Sequence, residues 1–115
     1  MIVARLKPNE LREFLFGKTL NCYDPESRVH IATAHYGQDG VCRMTFSDGT
    51  EDTGVFGLTD DIYWTQYKRF RSGTLNKFYL ESVAPQIAQA FHTDGRRAFL
   101  QTPLPTLENE TLESR

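Results

Sequence analysis

The stretch Tyr36-Gly37-Gln38-Asp39-Gly40-Val41-Cys42-Arg43-Met44-Thr45-Phe46-Ser47-Asp48-Gly49-Thr50 decides the fold. Two Asp-Gly pairs bracket a short run in which Cys42, Met44 and Phe46 fall on one face of a strand and Val41, Arg43 and Thr45 on the other, because strand side chains alternate. Asp-Gly accommodates the positive φ angles that tight hairpin turns require. A strand held between two hairpin turns is the unit of a β-meander.

Working outward, Asp94-Gly95 gives a third turn of the same kind and Ser72-Gly73 a fourth. Pro25 lies in the first connection and Asp60-Asp61 breaks the chain after Leu58. The segments between predict strands over residues 18–23, 29–36, 41–47, 52–58, 62–70, 75–81, 86–92 and 97–101. Strands recurring about every 10–12 residues point to a sandwich or barrel rather than βαβ units. The expected fold class is all-β: an eight-stranded antiparallel meander closing into a barrel, with a short N-terminal helix. Within 82–90, Ala and Gln favour helix, but the hairpin signal Phe91–Arg96 that follows favours a strand.

The helix is predicted over residues 8–16, where Leu11, Phe14 and Leu15 recur at i, i+3 and i+4. Pro8 suits the first helical position, Glu10 the positive end of the helix dipole and Gly17 the stop. So short a helix needs a surface to pack on, and one end of the barrel supplies it.

The chain has 115 residues, with 39% hydrophobic and 24% charged, the profile of one globular domain able to bury its own core. Residues 1–102 are read as that domain and 103–115, with two prolines and three acidic side chains, as a flexible polar tail. A net charge of −2 provides no global field toward nucleic acid or an anionic membrane. No run is apolar enough to span a bilayer and the N-terminus has no signal-like apolar core, so the cytoplasm is the expected location. There Cys22 and Cys42 are free thiols; in an exported protein they could pair. Neither lies at metal-ligand spacing, and His30 and His35, five apart, point to opposite faces of a strand. No cofactor motif or catalytic motif occurs.

The opening Gly17-Lys18-Thr19-Leu20, the turns Tyr36–Gly40 and Phe46–Thr50, and the strands Thr53-Gly54-Val55-Phe56 and Ile62-Tyr63-Trp64 resemble the small lipocalin-like (calycin) barrels of bacteria, including families of unknown function. The resemblance covers roughly residues 10–101. It implies a barrel that holds a small apolar or amphipathic molecule, and it brings no catalytic residue with it.

The most apolar lining that alternation allows joins Cys42, Met44, Phe46, Phe56, Trp64, Phe78, Leu80 and Phe91. An eight-stranded barrel has room for side chains or for one small ligand, so this lining is either solid core or pocket wall. As a pocket, its ligand-binding residues are Met44, Phe46, Phe56, Trp64, Gln66, Phe78 and Phe91, the aromatic rings holding an apolar body and Gln66 orienting it. A second set, Tyr63, Tyr67, Arg43, Arg69 and His92, suits an anion or an ordinary outer face. The basic run Lys68-Arg69-Phe70-Arg71 suits phosphates or a solubilising edge. Three functions follow: a non-catalytic ligand-binding barrel, an interaction module with a solid core acting through an outer face or as a homodimer, or an enzyme with a polar site inside the barrel.

Overall fold

The computed structural model describes residues 4–103. The first three residues of the expected domain and all but Pro103 of the expected tail lie outside that range. Eight antiparallel strands form a closed barrel in chain order. They are β2 (Lys18–Tyr23), β3 (His30–Tyr36), β4 (Val41–Phe46), β5 (Glu51–Thr59), β6 (Ile62–Tyr67), β7 (Leu75–Ala84), β8 (Ile87–His92) and β9 (Arg97–Thr102). Each pairs with the next, and β9 pairs back onto β2 through Cys22 and Gln101. The expected fold is thus the observed one. A two-residue strand, β1 (Ala4–Arg5), adds to β7 beyond the reach of β6.

Helix α1 spans Pro8–Leu15 and ends where Gly17 turns back at φ 75°. Glu10 Oε1 accepts the Lys7 amide at 2.9 Å, which satisfies one of the amides a helix start leaves open. Leu11 and Leu15 are wholly buried, and Phe16 sets its ring 4.8 Å from Phe56. The helix closes the barrel end formed by the start of β2, the end of β3 and the end of β5.

The three Asp-Gly turns share one construction. Asp39, Asp48 and Asp94 each accept the amide two residues on through Oδ1, at 3.1, 2.9 and 3.0 Å. In each, only the glycine is left-handed, with φ 85°, 91° and 93°. The aspartates therefore do not take the positive φ expected of a two-residue turn; these are longer turns closed by a left-handed glycine. Pro85-Gln86, placed at a strand start by its sequence, is instead the tight turn between β7 and β8, with Gln86 at φ 62°.

The interior is strung on aromatic rings. From the helix end, Phe16 meets Phe56, Phe56 meets Tyr36 at 4.9 Å, Tyr36 meets Tyr63 at 5.9 Å, Tyr63 meets Phe78 at 5.4 Å and Phe78 meets Phe99 at 5.1 Å. Facing them, β3, β8 and β9 offer Ala32, Ala34, Ala88, Ala90 and Ala98. Large rings against alanines fill the helix end and leave room toward the other.

Candidate functional site

At the end opposite α1 the barrel keeps a cavity of about 240 Å³. Its floor is Tyr36, Tyr63 and Cys22; Met44, Phe46, Tyr67, Phe78 and Phe99 form the walls; Phe70 and Arg71 lie over it and His92 stands at the rim. A dry cavity of ~150 Å³ takes benzene, so this one has room for a somewhat larger apolar body.

The roof is a short 3-10 turn, Phe70–Gly73, in which Arg71, Ser72 and Gly73 are all left-handed, at φ 54°, 57° and 73°. Two successive non-glycine residues in that region are strained, and such strain persists only where surrounding contacts impose it. Asp52 on β5 imposes it. Its carboxylate is 6% exposed; Oδ2 accepts the amides of Arg69 and Phe70 at 3.0 and 2.7 Å, and Oδ1 that of Thr53 at 2.9 Å. The Arg69 guanidinium lies 3.8 Å from Oδ1 and donates to the Glu51 carbonyl. Burial pushes the Asp52 carboxyl up, but the Phe70, Arg69 and Thr53 amides and the Arg69 charge outweigh it, and it sits below its ordinary value. So held, Phe70 lays its ring 5.5 Å from Phe46 and 5.8 Å from Tyr67.

The polar groups of the floor are arranged to stay neutral. Tyr36 and Tyr63 bring their hydroxyls 2.6 Å apart. Gln101, wholly buried, donates through Nε2 to the Tyr36 hydroxyl at 3.0 Å and toward Cys22 Sγ at 3.9 Å. Burial pushes the Cys22 thiol up to about 12, and raises the phenols of Tyr36, Tyr63 and Tyr67 and the Cys42 thiol as well. A thiol so far from its thiolate is a weak nucleophile. At the rim, burial and then the Arg96 charge hold His92 below its ordinary value.

Of the residues expected to bind a ligand, Met44, Phe46 and Phe78 line the cavity. Phe56 is interior but lies deeper, between Phe16 and Tyr36. Trp64, Gln66 and Phe91 face outward. On β6 the buried residues are Tyr63, Thr65 and Tyr67, the reverse of the expected face. Tyrosine goes inside because its hydroxyl finds Tyr36 there, while Trp64 lies outside across Gly57, whose missing side chain its ring covers. On β8 the small Ala88 and Ala90 face in and make way for Phe99 and Gln101, their partners on β9; Phe91 stacks outside on Tyr79 at 5.0 Å. The second expected set is split in the same way: Tyr63, Tyr67 and His92 point into the cavity, while Arg43 and Arg69 are exposed.

One contact absent from the sequence motifs is a serine beside a histidine. Ser47 Oγ lies 2.7 Å from His30 Nδ1, and Thr33 Oγ1 lies 3.0 Å from Nε2. Ser47 donates its proton to the His30 carbonyl at 2.6 Å, and Thr33 donates its own to Asn21 Oδ1 at 2.7 Å. Each hydroxyl has one proton and gives it to a partner other than the ring. This is not the hydroxyl-to-base bond that activates a nucleophile.

Among the described residues no three His, Cys, Asp or Glu side chains gather as a metal site, Cys22 and Cys42 are unpaired thiols, and no helix is long and apolar enough to cross a membrane. Comparison with family models, curated proteins and solved structures gives no match to this chain.

Proposed function

We propose that this protein is a non-catalytic, calycin-like barrel that binds one small apolar or amphipathic molecule in the cavity beneath Phe70. The observation that carries this reading is an aromatic-walled space of about 240 Å³ at one end of the barrel. Ligand sites are concave and mostly apolar with a few polar groups; here those groups are the tyrosine pair and Cys22, all held neutral, which favours an apolar guest over an ionic reaction. Two buried free thiols fit a reducing compartment, and the cytoplasm is the proposed location.

The test is calorimetric and thermal titration with octanol and 1-naphthol. One-to-one binding is expected, with a rising melting temperature, since a ligand at 100 times its Kd stabilises the native state by ~2.7 kcal/mol. Ala32→Leu, which narrows the cavity, is expected to abolish both effects. If neither probe binds the wild type, the interior is solid core in function and the proposal fails.

A second reading, an interaction module, has one observation in its favour. Val41, Val55, Gln66 and Leu75 are register partners in a row across β4, β5, β6 and β7, and the three aliphatic residues are 40%, 45% and 49% exposed. Sedimentation tests it: a dimer that Val55→Lys dissociates supports it, and a monomer at high concentration removes homodimerisation.

A further inference from the structure

Beside the rim of the cavity lies a second depression of about 230 Å³, whose lining includes Arg71, Lys77, His92, Asp94 and Arg96. Arg71 and His92 belong to both spaces. The two differ sharply in chemistry. The inner one is walled by rings and Met44; the outer one sets three cations against a single carboxylate, in a chain whose net charge is −2. That carboxylate is already engaged, because Asp94 Oδ2 accepts from Arg96 Nε at 2.7 Å. Arg71 and Lys77 are the other two cations of its lining, Lys77 from the exposed face of β7.

Arg71 is also the residue whose backbone is forced left-handed by the Asp52-anchored turn. Strained conformations of this kind cluster at ligand clamps. The turn thus puts a phenyl ring over the apolar space and, one residue on, a guanidinium over the polar one.

We propose that the ligand is an amphiphile with an anionic head: an alkyl or aryl body inside the barrel, and a carboxylate or phosphate in the outer groove against Arg71 and Lys77. The proposal rests on the cavity reading above and names the ligand class for it. A guanidinium and an ammonium at the edge of an apolar space recognise either anion through charge-assisted hydrogen bonds, and they disfavour a cationic head by the same charge.

The experiment compares four probes that share one tail: octanoate, octyl phosphate, octanol and octylammonium, titrated calorimetrically at low salt. At least one of the two anions is expected to bind tenfold or more tighter than octanol, with octylammonium the weakest, and whichever anion leads identifies the head. Added salt is expected to weaken the anions and leave octanol unchanged. Arg71→Gln should bring the leading anion to within about threefold of octanol measured on the same variant. Lys77→Gln, on a regular strand away from the strained turn, should weaken the anion in the same selective way. If octanol binds as tightly as both anions, or if both substitutions weaken octanol and anion alike, the groove does not read a head group and the inference is overturned while the cavity reading stands. If none of the four binds, the cavity reading falls and this inference with it.

Discussion

The phenol oxygens of Tyr36 and Tyr63 meet 2.6 Å apart across the barrel, on β3 and β6, strands that are not neighbours in the sheet. The pair is unequal. Gln101 Nε2 donates to Tyr36 at 3.0 Å and points toward Cys22 Sγ at 3.9 Å. Tyr63→Phe removes one buried hydrogen bond and should cost about 1 kcal/mol; Tyr36→Phe also strands the Gln101 amide and should cost about 2–3 kcal/mol. Urea melts of the two variants measure the difference. Equal costs would mean that Gln101 does not depend on Tyr36.

The same burial predicts a sharp alkaline limit. Burial raises the Cys22 thiol to about 12 and also lifts Cys42, Tyr36, Tyr63 and Tyr67. A thiol or phenol raised by folding keeps its proton in the native state after the unfolded chain has lost it, so the native state is disfavoured as pH rises. Full stability should therefore hold below the unfolded values, ~8.5 for Cys and ~10 for Tyr, and fall above them toward the folded ones. Melting temperature is expected to drop from about pH 9 upward, with Tyr36, Tyr63 and Tyr67 forming phenolates only as circular dichroism is lost. Phenolate absorbance from all three while the barrel remains intact would contradict their burial.

The barrel was legible because its turns are written in residues that have few alternatives. Gly40, Gly49 and Gly95 stand at left-handed positions, and the aspartate before each has a local amide to accept. Strand existence followed from the spacing of these turns. Strand facing did not, and β6 shows why. Ile62, Trp64, Gln66 and Tyr63, Thr65, Tyr67 are comparably amphipathic sets, and alternation alone treats them alike. What separates them is non-local: Tyr36 waits inside for a hydroxyl, and Gly57 outside for a ring. On β8, too, the small residues face in because Phe99 on β9 fills the space they leave. The roof was hidden for another reason. Lys68–Arg71 reads as a basic run on a strand, and nothing local says that Asp52, far back in the chain, fixes the amides of Arg69 and Phe70.

Two glycines on β5 separate backbone contact from side-chain contact. A Cβ on Gly57 would come 2.6 Å from Trp64 Cζ2, the edge of a ring on the outer surface that can swing away. On Gly54 it would strike the Gln66 carbonyl and stand 2.7 Å from Tyr67 Cα, where the backbones of β5 and β6 close on each other. Gly57→Ala should cost about 1 kcal/mol and shift Trp64 fluorescence toward the solvent-exposed spectrum; Gly54→Ala should cost about 3 kcal/mol or more, since overpacking against backbone has no cheap relief. Denaturant melts with tryptophan emission read both. A harmless Gly54→Ala would place β5 and β6 further apart than this register allows.

Asp52 is the residue on which the roof depends. Its carboxylate holds the Arg69 and Phe70 amides at 3.0 and 2.7 Å, and through them the left-handed Arg71 and Ser72. Asp52→Ala should release this turn while the barrel persists. Hydrogen exchange at Arg69 and Phe70 is expected to accelerate by tenfold or more, with exchange at Met44 and Leu80 unchanged, because local openings differ in free energy from global unfolding. The pH dependence has a definite sign. The carboxyl sits below its ordinary value when folded, so its contribution is present above the unfolded value of ~3.9 and lost as pH falls through the folded one. In the wild type the two amides should therefore lose protection at about pH 4 and below, whereas in Asp52→Ala their protection factors, once intrinsic exchange is removed, should be low and flat across that range. The ligand arm follows from geometry: with Phe70 no longer held over Phe46 and Tyr67, octanol should dissociate faster from the variant than from the wild type. If the amides of Arg69 and Phe70 remain protected in Asp52→Ala, the turn is held by Phe70 packing alone, and the carboxylate is not its anchor.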